Sequence, residues 1–211
     1  MAEKKISAAV IKRLPRYYRY LSELLEQGID RISSGELSKQ MKVTASQIRQ
    51  DFNNFGGFGQ QGYGYNVAYL KDEIGKILGL NRNYHVIILG AGNLGHALAN
   101  YAGFEKRGFV VSGVFDIDKA KIGLKIGQVE VMDMNGLRDF IAAYPVDIAA
   151  LTLPRSQAAA VARELVELGV SAFWNFAAID LNLPKEIAVE NVHLAESLMR
   201  LSYNISNLPR E

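Results

Sequence analysis

Three glycines at fixed spacing, in Gly90-Ala91-Gly92-Asn93-Leu94-Gly95, carry chemical meaning in this 211-residue chain. In a turn between a strand and a helix, the first glycine permits the tight bend and the second lets backbone N–H groups approach a pyrophosphate. The third allows close helix–strand packing, and the helix N-terminus adds partial positive charge toward the phosphates. An acid about 20 residues further on, at the end of the next strand, would bond the ribose hydroxyls of an adenosine. Asp116 stands there. A carboxylate at that place repels a 2′-phosphate, so the pattern points to NAD+ or NADH rather than to the phosphorylated dinucleotide.

A second constellation lies upstream. Behind Thr44, a helix-forming stretch carries Ser46, Gln47, Arg49, Gln50 and Asn53 on its polar side. Gln and Asn can bond adenine bidentately, and Arg can bond guanine or a phosphate. The preceding short helix opens at Ser33-Ser34, and a tight turn joins the two, which is what reading a DNA major groove requires. Structural bundles also use such helix pairs. Lys4, Lys5, Lys12, Arg13, Arg16 and Arg19 crowd the first twenty residues, a density to be spread over solvent or matched by phosphates. On charge alone, a solvated helix face explains them equally well.

The elements that must hold these groups follow from periodicity. Ser7 to Gln27 reads as helix, with Pro15 expected to bend or interrupt it and Gly28 to stop it. Ser33 to Met41 and Thr44 to Phe55 give the two short helices. Residues 56–65 read as a glycine-punctuated β-hairpin, which after a recognition helix would be a wing; an ordinary loop is the alternative. Its Gly59, Gln60 and Gln61 could approach the phosphate backbone or the minor groove. A helix from Val67 to Leu78 closes this part.

Beyond Asn81-Arg82-Asn83 the texture changes to short apolar runs alternating with helical stretches, the signature of a mostly parallel α/β sheet. Strands are expected at 85–89, 110–115, 148–153, 172–176 and 187–192, with helices at 94–101, 135–143 and 156–168. Thr152, Pro154, Asn175 and Phe176 fall at carboxyl ends of strands, where ligands of such sheets lie, and are candidates for the nicotinamide half of the cofactor. The final helix carries Leu194, Leu198, Leu201 and Ile205 as an apolar stripe, to pack on its own domain or on a second subunit. The expected division is 1–80, a winged helix-turn-helix; 81–192, a Rossmann-like dinucleotide-binding domain; and 193–211, a dimerisation helix and tail.

The composition sets bounds. The chain is 49% hydrophobic and 22% charged with a net charge of +2, which excludes collagen-like and disordered classes. Residues 1–80 hold a net +4 and residues 81–211 a net −2, so the basic excess lies in the first part. Without cysteine there is no disulfide framework or thiolate metal site, consistent with a reducing cytosol. The apolar runs are far shorter than the roughly 18–20 residues that cross a bilayer. His85, His96 and His193 fall in no acid–base constellation, and no metal-ligand or nucleophile motif stands out, so no catalytic residue is assigned. A regulator joining a duplex reader to a nucleotide sensor is the economical reading; the alternative is an NAD-dependent oxidoreductase with a fused nucleic-acid-binding module.

The order Ser7-Ala8-Ala9, Arg13-Leu14, Ser33-Ser34, Val43-Thr44, Gln47-Ile48-Arg49, Asp51-Phe52, Gly62-Tyr63-Gly64-Tyr65, Gly90 to Gly95, Phe115-Asp116, Leu151-Thr152-Leu153-Pro154, Asn175-Phe176-Ala177 and Val189-Glu190-Asn191-Val192 closely resembles the redox-sensing transcriptional repressors of the Rex family. The resemblance implies a cytoplasmic homodimer that binds palindromic operator DNA, releases it when NADH binds, and exchanges its C-terminal helix between subunits. There are two departures from the family pattern: Gln60 and Gln61 stand where wings often carry basic residues, and His193 stands where an Asp commonly pairs across subunits with an arginine matching Arg19. An apolar pocket near Tyr101 and Phe176 would penalise the cationic oxidised ring and favour NADH.

Overall fold

The computed structural model describes residues 6–54, 59–60 and 63–208, and its two compact units divide between Arg82 and Asn83. The first unit opens with α1 (Ala8–Glu26), capped by Ser7, whose hydroxyl accepts the Val10 N–H. Val10, Leu14, Tyr17, Leu21 and Leu24, spaced by fours and threes, form its buried stripe. Against expectation, Pro15 does not split the helix. It lies on the exposed face together with Ile11, whose carbonyl a proline at 15 cannot bond, so water can serve that group.

Helix α2 (Ser34–Met41) starts in a complete capping box: Ser33 Oγ accepts the Glu36 N–H, and Glu36 accepts the Ser33 N–H. Thr44 caps α3 (Ala45–Asn53), and Asn66 caps α4 (Val67–Ile77). Three short strands accompany the helices: β1 (Arg31–Ile32), β2 (Gly59–Gln60) and β3 (Gly64–Asn66), with β3 in the middle and both pairings antiparallel. Strand β1, two residues long, carries no periodicity and was not visible in the sequence. Gly64 must be glycine on two counts: its φ is +70°, and a Cβ there would sit 2.8 Å from the Ile32 carbonyl oxygen. The core joins Leu14, Tyr17 and Leu21 to Leu37, Ile48, Phe52, Leu70 and Ile74. Phe52 meets Tyr17 and Tyr65 edge-on, at 4.9 and 5.1 Å between ring centres.

The second unit is built on seven strands in the order β10-β9-β8-β4-β5-β7-β6. These are β4 (Tyr84–Leu89), β5 (Phe109–Asp116), β6 (Lys125–Ile126), β7 (Val129–Asp133), β8 (Ile148–Leu151), β9 (Ala172–Asn175) and β10 (Ala188–Asn191). All pairings are parallel except β6 with β7, an edge hairpin turning at Gly127 (φ +60°). The helices are α5 (Asn93–Ala99), α6 (Leu137–Ala143), α7 (Arg155–Glu167) and α8 (Leu194–Ser206). Strand β4 lies between β5 and β8, so the chain order reverses beside it, and a crevice opens at the carboxyl ends of β4 and β8.

Alternation along β4 divides the core. Ile87 and Leu89 pack with Phe115, Leu151 and Phe173 against Leu137 of α6 and Ala158, Ala162 and Leu165 of α7. Val86 and Ile88 face the other side with Val114, Val131 and Ala150. On that side an apolar groove of about 490 Å³ stays open, lined by Val86, Ile88, Leu98, Phe109, Ala150 and Trp174 among others. Helix α8 buries none of its residues. Among the described residues, no helix is long and apolar enough to cross a membrane, and no three His, Cys, Asp or Glu side chains gather as a metal site.

Candidate functional site

The crevice beside β4 has a volume of about 520 Å³ and brings together Gly90, Gly92, Asp116, Thr152 and Pro154. Its shape depends on absent side chains. Gly90 has φ +104°, and a Cβ on it would sit 2.8 Å from the Thr152 carbonyl oxygen; a Cβ on Gly95 would overlap the Gly90 carbonyl oxygen. Gly92 caps α5 and faces open space. Ala91, Asn93 and Leu94 complete the turn, and Gly95 is buried beneath it. This is a cradle that backbone N–H groups can offer to a pyrophosphate.

Asp116 ends β5 and is nearly buried. Its Oδ2 accepts the Ala91 N–H at 2.7 Å and Lys121 Nζ at 3.1 Å, and its Oδ1 accepts the Asp118 N–H at 2.8 Å. Burial pushes this carboxyl's pKa up, but the N–H groups of Asp118 and Ala91 and the Lys121 ammonium more than offset it, so the pKa lies below its ordinary value. A carboxylate has about four acceptor positions. With three filled, one on Oδ1 remains for a hydroxyl. The residues present therefore fit an adenosine ribose and pyrophosphate. Lys121 was missed in the sequence, where a lysine five residues past an acid in a loop follows no period; Ile117 and Gln157 also line the crevice.

Thr152 reaches the crevice differently from expectation. Its hydroxyl donates to the Gly90 and Leu89 carbonyls, with oxygens 2.7 and 2.9 Å away, and so fastens the glycine turn. Asn175 turns inward rather than toward the crevice: its side chain is fully buried. Its amide donates to the Ile179 carbonyl and to Asn191 and accepts the Ala177 N–H. Tyr101 and Phe176 do not line the crevice. They end a run of ring contacts, Tyr101–Phe104 at 4.7 Å, Phe104–Trp174 at 5.5 Å and Trp174–Phe176 at 4.5 Å.

In the first unit, α3 turns Ser46, Arg49, Gln50 and Asn53 to solvent, while Ile48, Asp51 and Phe52 are buried. Thr44 Oγ1 accepts the Gln47 N–H, so its hydroxyl serves the helix cap. The Ser33 hydroxyl serves the capping box, and Ser34 Oγ accepts from Arg49 at 3.0 Å, tying α2 to α3. Arg16 is exposed.

Arg13, expected at a phosphate, turns to a partner within its own unit. Its Nε and Nη2 each donate to Asp51 at 2.7 Å, a two-pronged ion pair with a fully buried carboxylate. Tyr17 donates to the same group at 2.8 Å and Gln47 at 2.9 Å. Burial pushes the Asp51 pKa up, and these partners hold it below its usual range nonetheless. Gly59 and Gln60 form β2, and the side chain of Gln60, like all of Gln61, lies outside the described residues.

Helix α8 exposes Leu194, Leu198, Leu201 and Ile205 along one stripe, each more than half accessible. His193 caps α8 without a side-chain bond to the helix, and Arg19 lies 3.7 Å from Glu23 on its own helix. His85 Nδ1 meets Ser112 Oγ at 3.0 Å, a structural contact.

A helix pair with an outward polar recognition face, followed by a Rossmann-like fold with an open glycine cradle, defines a DNA-binding protein with a dinucleotide-type domain. The family model described as "Putative DNA-binding protein N-terminus" matches residues 5–53, and "CoA binding domain" matches residues 81–179. The redox-sensing transcriptional repressor Rex of Thermoanaerobacter pseudethanolicus is 57% identical over 96% of this chain and 90% of its own length. A crystal structure of RSP in complex with beta-NAD+ and operator DNA is 57% identical, covers 95% of this chain and 93% of its own, and has a TM-score of 0.90. The structure of RSP with beta-NADH is 53% identical over 96% and 95%, with a TM-score of 0.88. The chain belongs to the Rex family of redox-sensing transcriptional repressors.

Proposed function

We propose that the chain is a transcriptional repressor that senses the NADH/NAD+ ratio, binding operator DNA through α3 and the β2–β3 wing and releasing it when NADH binds. One observation carries this reading: its fold follows, over 95% of its length, a relative solved with both NAD+ and operator DNA. It is a regulator rather than an oxidoreductase, as its relatives are named repressors.

Gly92 and the start of α5 hold the pyrophosphate, with Gly90 making the bend before them, and Asp116 takes a ribose hydroxyl and disfavours a 2′-phosphate. Tyr101 and Phe176 form the nicotinamide end. Exclusion of water from that end on binding would penalise the positive charge that distinguishes the oxidised ring and so favour NADH. To shift repression, NADH must bind the DNA-free arrangement more tightly than the DNA-bound one, since equal affinity shifts nothing.

Arg16, Ser34, Ser46, Gln47, Arg49, Gln50 and Asn53 carry the DNA contacts, with Gly59, Gln60 and Gln61 at the wing. Palindromic operators call for a homodimer, whose two recognition helices sit one DNA turn, about 34–36 Å, or a multiple apart. The open groove over Val86, Ile88 and Trp174 and the bare stripe of α8 support an exchange in which α8 of one copy covers the groove of the other. The protein works in the cytoplasm, where both partners are found. NADH titrated against a preformed protein–operator complex, with NAD+ as control, tests the reading: release by NADH at concentrations where NAD+ leaves the complex intact is the expected result.

A further inference from the structure

Gln47 sits on the recognition helix, and its side chain is not free to choose its orientation. Its Nε2 donates to Asp51 Oδ1 at 2.9 Å, one helical turn on. An ionised carboxylate accepts and never donates, so the amide must turn its NH2 group toward Asp51. Its carbonyl oxygen is thereby directed away, with the second N–H still available.

Asp51 is itself immobile. Arg13 holds Oδ2 through Nε and Oδ1 through Nη2, both at 2.7 Å, and the Tyr17 hydroxyl donates to Oδ2 at 2.8 Å. With Gln47, all four acceptor positions of the carboxylate are filled. Two of these partners stand on α1, so the clamp also fixes α3 against α1. A glutamine on an exposed helix ordinarily samples several rotamers and both amide orientations, and ordering it on a base lowers affinity. Here a hydrogen bond to a fixed carboxylate already restrains it before any duplex arrives.

We propose that Asp51, held by Arg13 and Tyr17, is a positioning residue for base reading: it presets Gln47 so that α3 presents a fixed acceptor-and-donor edge to one base pair. Adenine offers the matching edge in the major groove, an N6 donor beside an N7 acceptor. The inference rests on the DNA-binding reading above and assigns Gln47 its specificity through a residue that never touches DNA.

The full-length protein first enriches duplexes from a randomised pool, and each base pair of the enriched site is then replaced in turn. Binding is measured for the wild type, Asp51→Asn, Gln47→Ala, the double variant and Tyr17→Phe. The wild type is expected to discriminate by about tenfold or more at one A·T pair. Asp51→Asn, which no longer presents an acceptor-only face, and Gln47→Ala should both lose most of that preference at this pair alone, and the double variant should match Gln47→Ala. Tyr17→Phe leaves the Gln47 bond in place and should keep the preference while lowering thermal stability. Full discrimination in Asp51→Asn, or an even loss at every base pair and on random duplex, overturns the proposal. Gln47 is only half-buried, so Gln47→Ala tests it even where Asp51→Asn does not fold: unchanged discrimination at every pair also overturns it. Failure of the wild type to enrich any duplex overturns the DNA-binding reading itself, a distinct result.

Discussion

The buried amide of Asn175 donates to the side-chain oxygen of Asn191 at 2.8 Å, joining the end of β9 to the end of β10, the strand from which α8 departs. The same amide group holds the Ile179 carbonyl, and the Val192 N–H bonds the Asn175 carbonyl. Phe176, the proposed nicotinamide neighbour, therefore shares an anchor with the root of α8. Asn191→Leu leaves a buried N–H without its acceptor, which costs about 1–3 kcal/mol. Asn191→Asp keeps an acceptor oxygen and should stay near wild type. Denaturant unfolding of the two variants separates these outcomes.

Thr152 gives a second prediction. Thr152→Val keeps the shape but removes the donor to the Gly90 and Leu89 carbonyls. A net hydrogen bond of about 1 kcal/mol corresponds to a roughly fivefold loss of NADH affinity through a looser glycine turn. Thr152→Ser should restore it. Calorimetric titration with NADH reads both.

The state of Asp116 sets a pH dependence. Burial raises its pKa, and its three hydrogen-bond partners reverse the sign, leaving it lowered. A lowered folded-state value means that its stabilising contribution is fully present above the unfolded value of about 3.9 and is lost as pH falls through the folded value. NADH affinity should accordingly show no carboxylate titration between pH 5 and 8, about one unit and more above that value. Asp116→Ala should weaken NADH binding at every pH and leave DNA binding in the absence of NADH intact. NADH fluorescence titrations across this range provide the measurement.

The exposed stripe of α8 makes a prediction about mass. Leu198 is 68% exposed and is not part of the buried core of its own chain. Leu198→Glu should therefore leave the folded monomer intact while abolishing the dimer, as seen by sedimentation. An unchanged mass would show that the stripe is not the interface.

Much of this was legible because repeating patterns reflect burial. The 4-3-4-3 spacing of Val10, Leu14, Tyr17, Leu21 and Leu24 located α1, and the glycine turn with Asp116 located the crevice. Strands β1 and β6, two residues each, are too short to carry a period, and their pairing partners alone create them. Pro15 misled because its helix-breaking effect depends on which face it occupies. Thr152 and Asn175 were placed at the right ends of the right strands, but strand ends do not reveal whether a polar side chain turns outward or inward. Here both turn to backbone carbonyls, and Asn175 also to Asn191.

Arg13 and Arg49 illustrate the same limit, and yield the sharpest contrast. In the sequence each is a basic residue of the helix-turn-helix region; in the structure Arg13 neutralises buried Asp51, while Arg49 lies exposed on α3 with a single bond to Ser34 described. Arg13→Ala strands a buried carboxylate, which costs about 3–5 kcal/mol when one partner of such a pair is removed. Its thermal midpoint should fall sharply, and its DNA binding should fail only as far as the unit unfolds. Arg49→Ala should leave the midpoint almost unchanged and still lower operator affinity by about 1–3 kcal/mol, the range for a specific base contact. Thermal melts and gel-shift titrations on both variants distinguish the two roles, because a phosphate-binding Arg13 would lower affinity even at temperatures where the Arg13→Ala variant is fully folded.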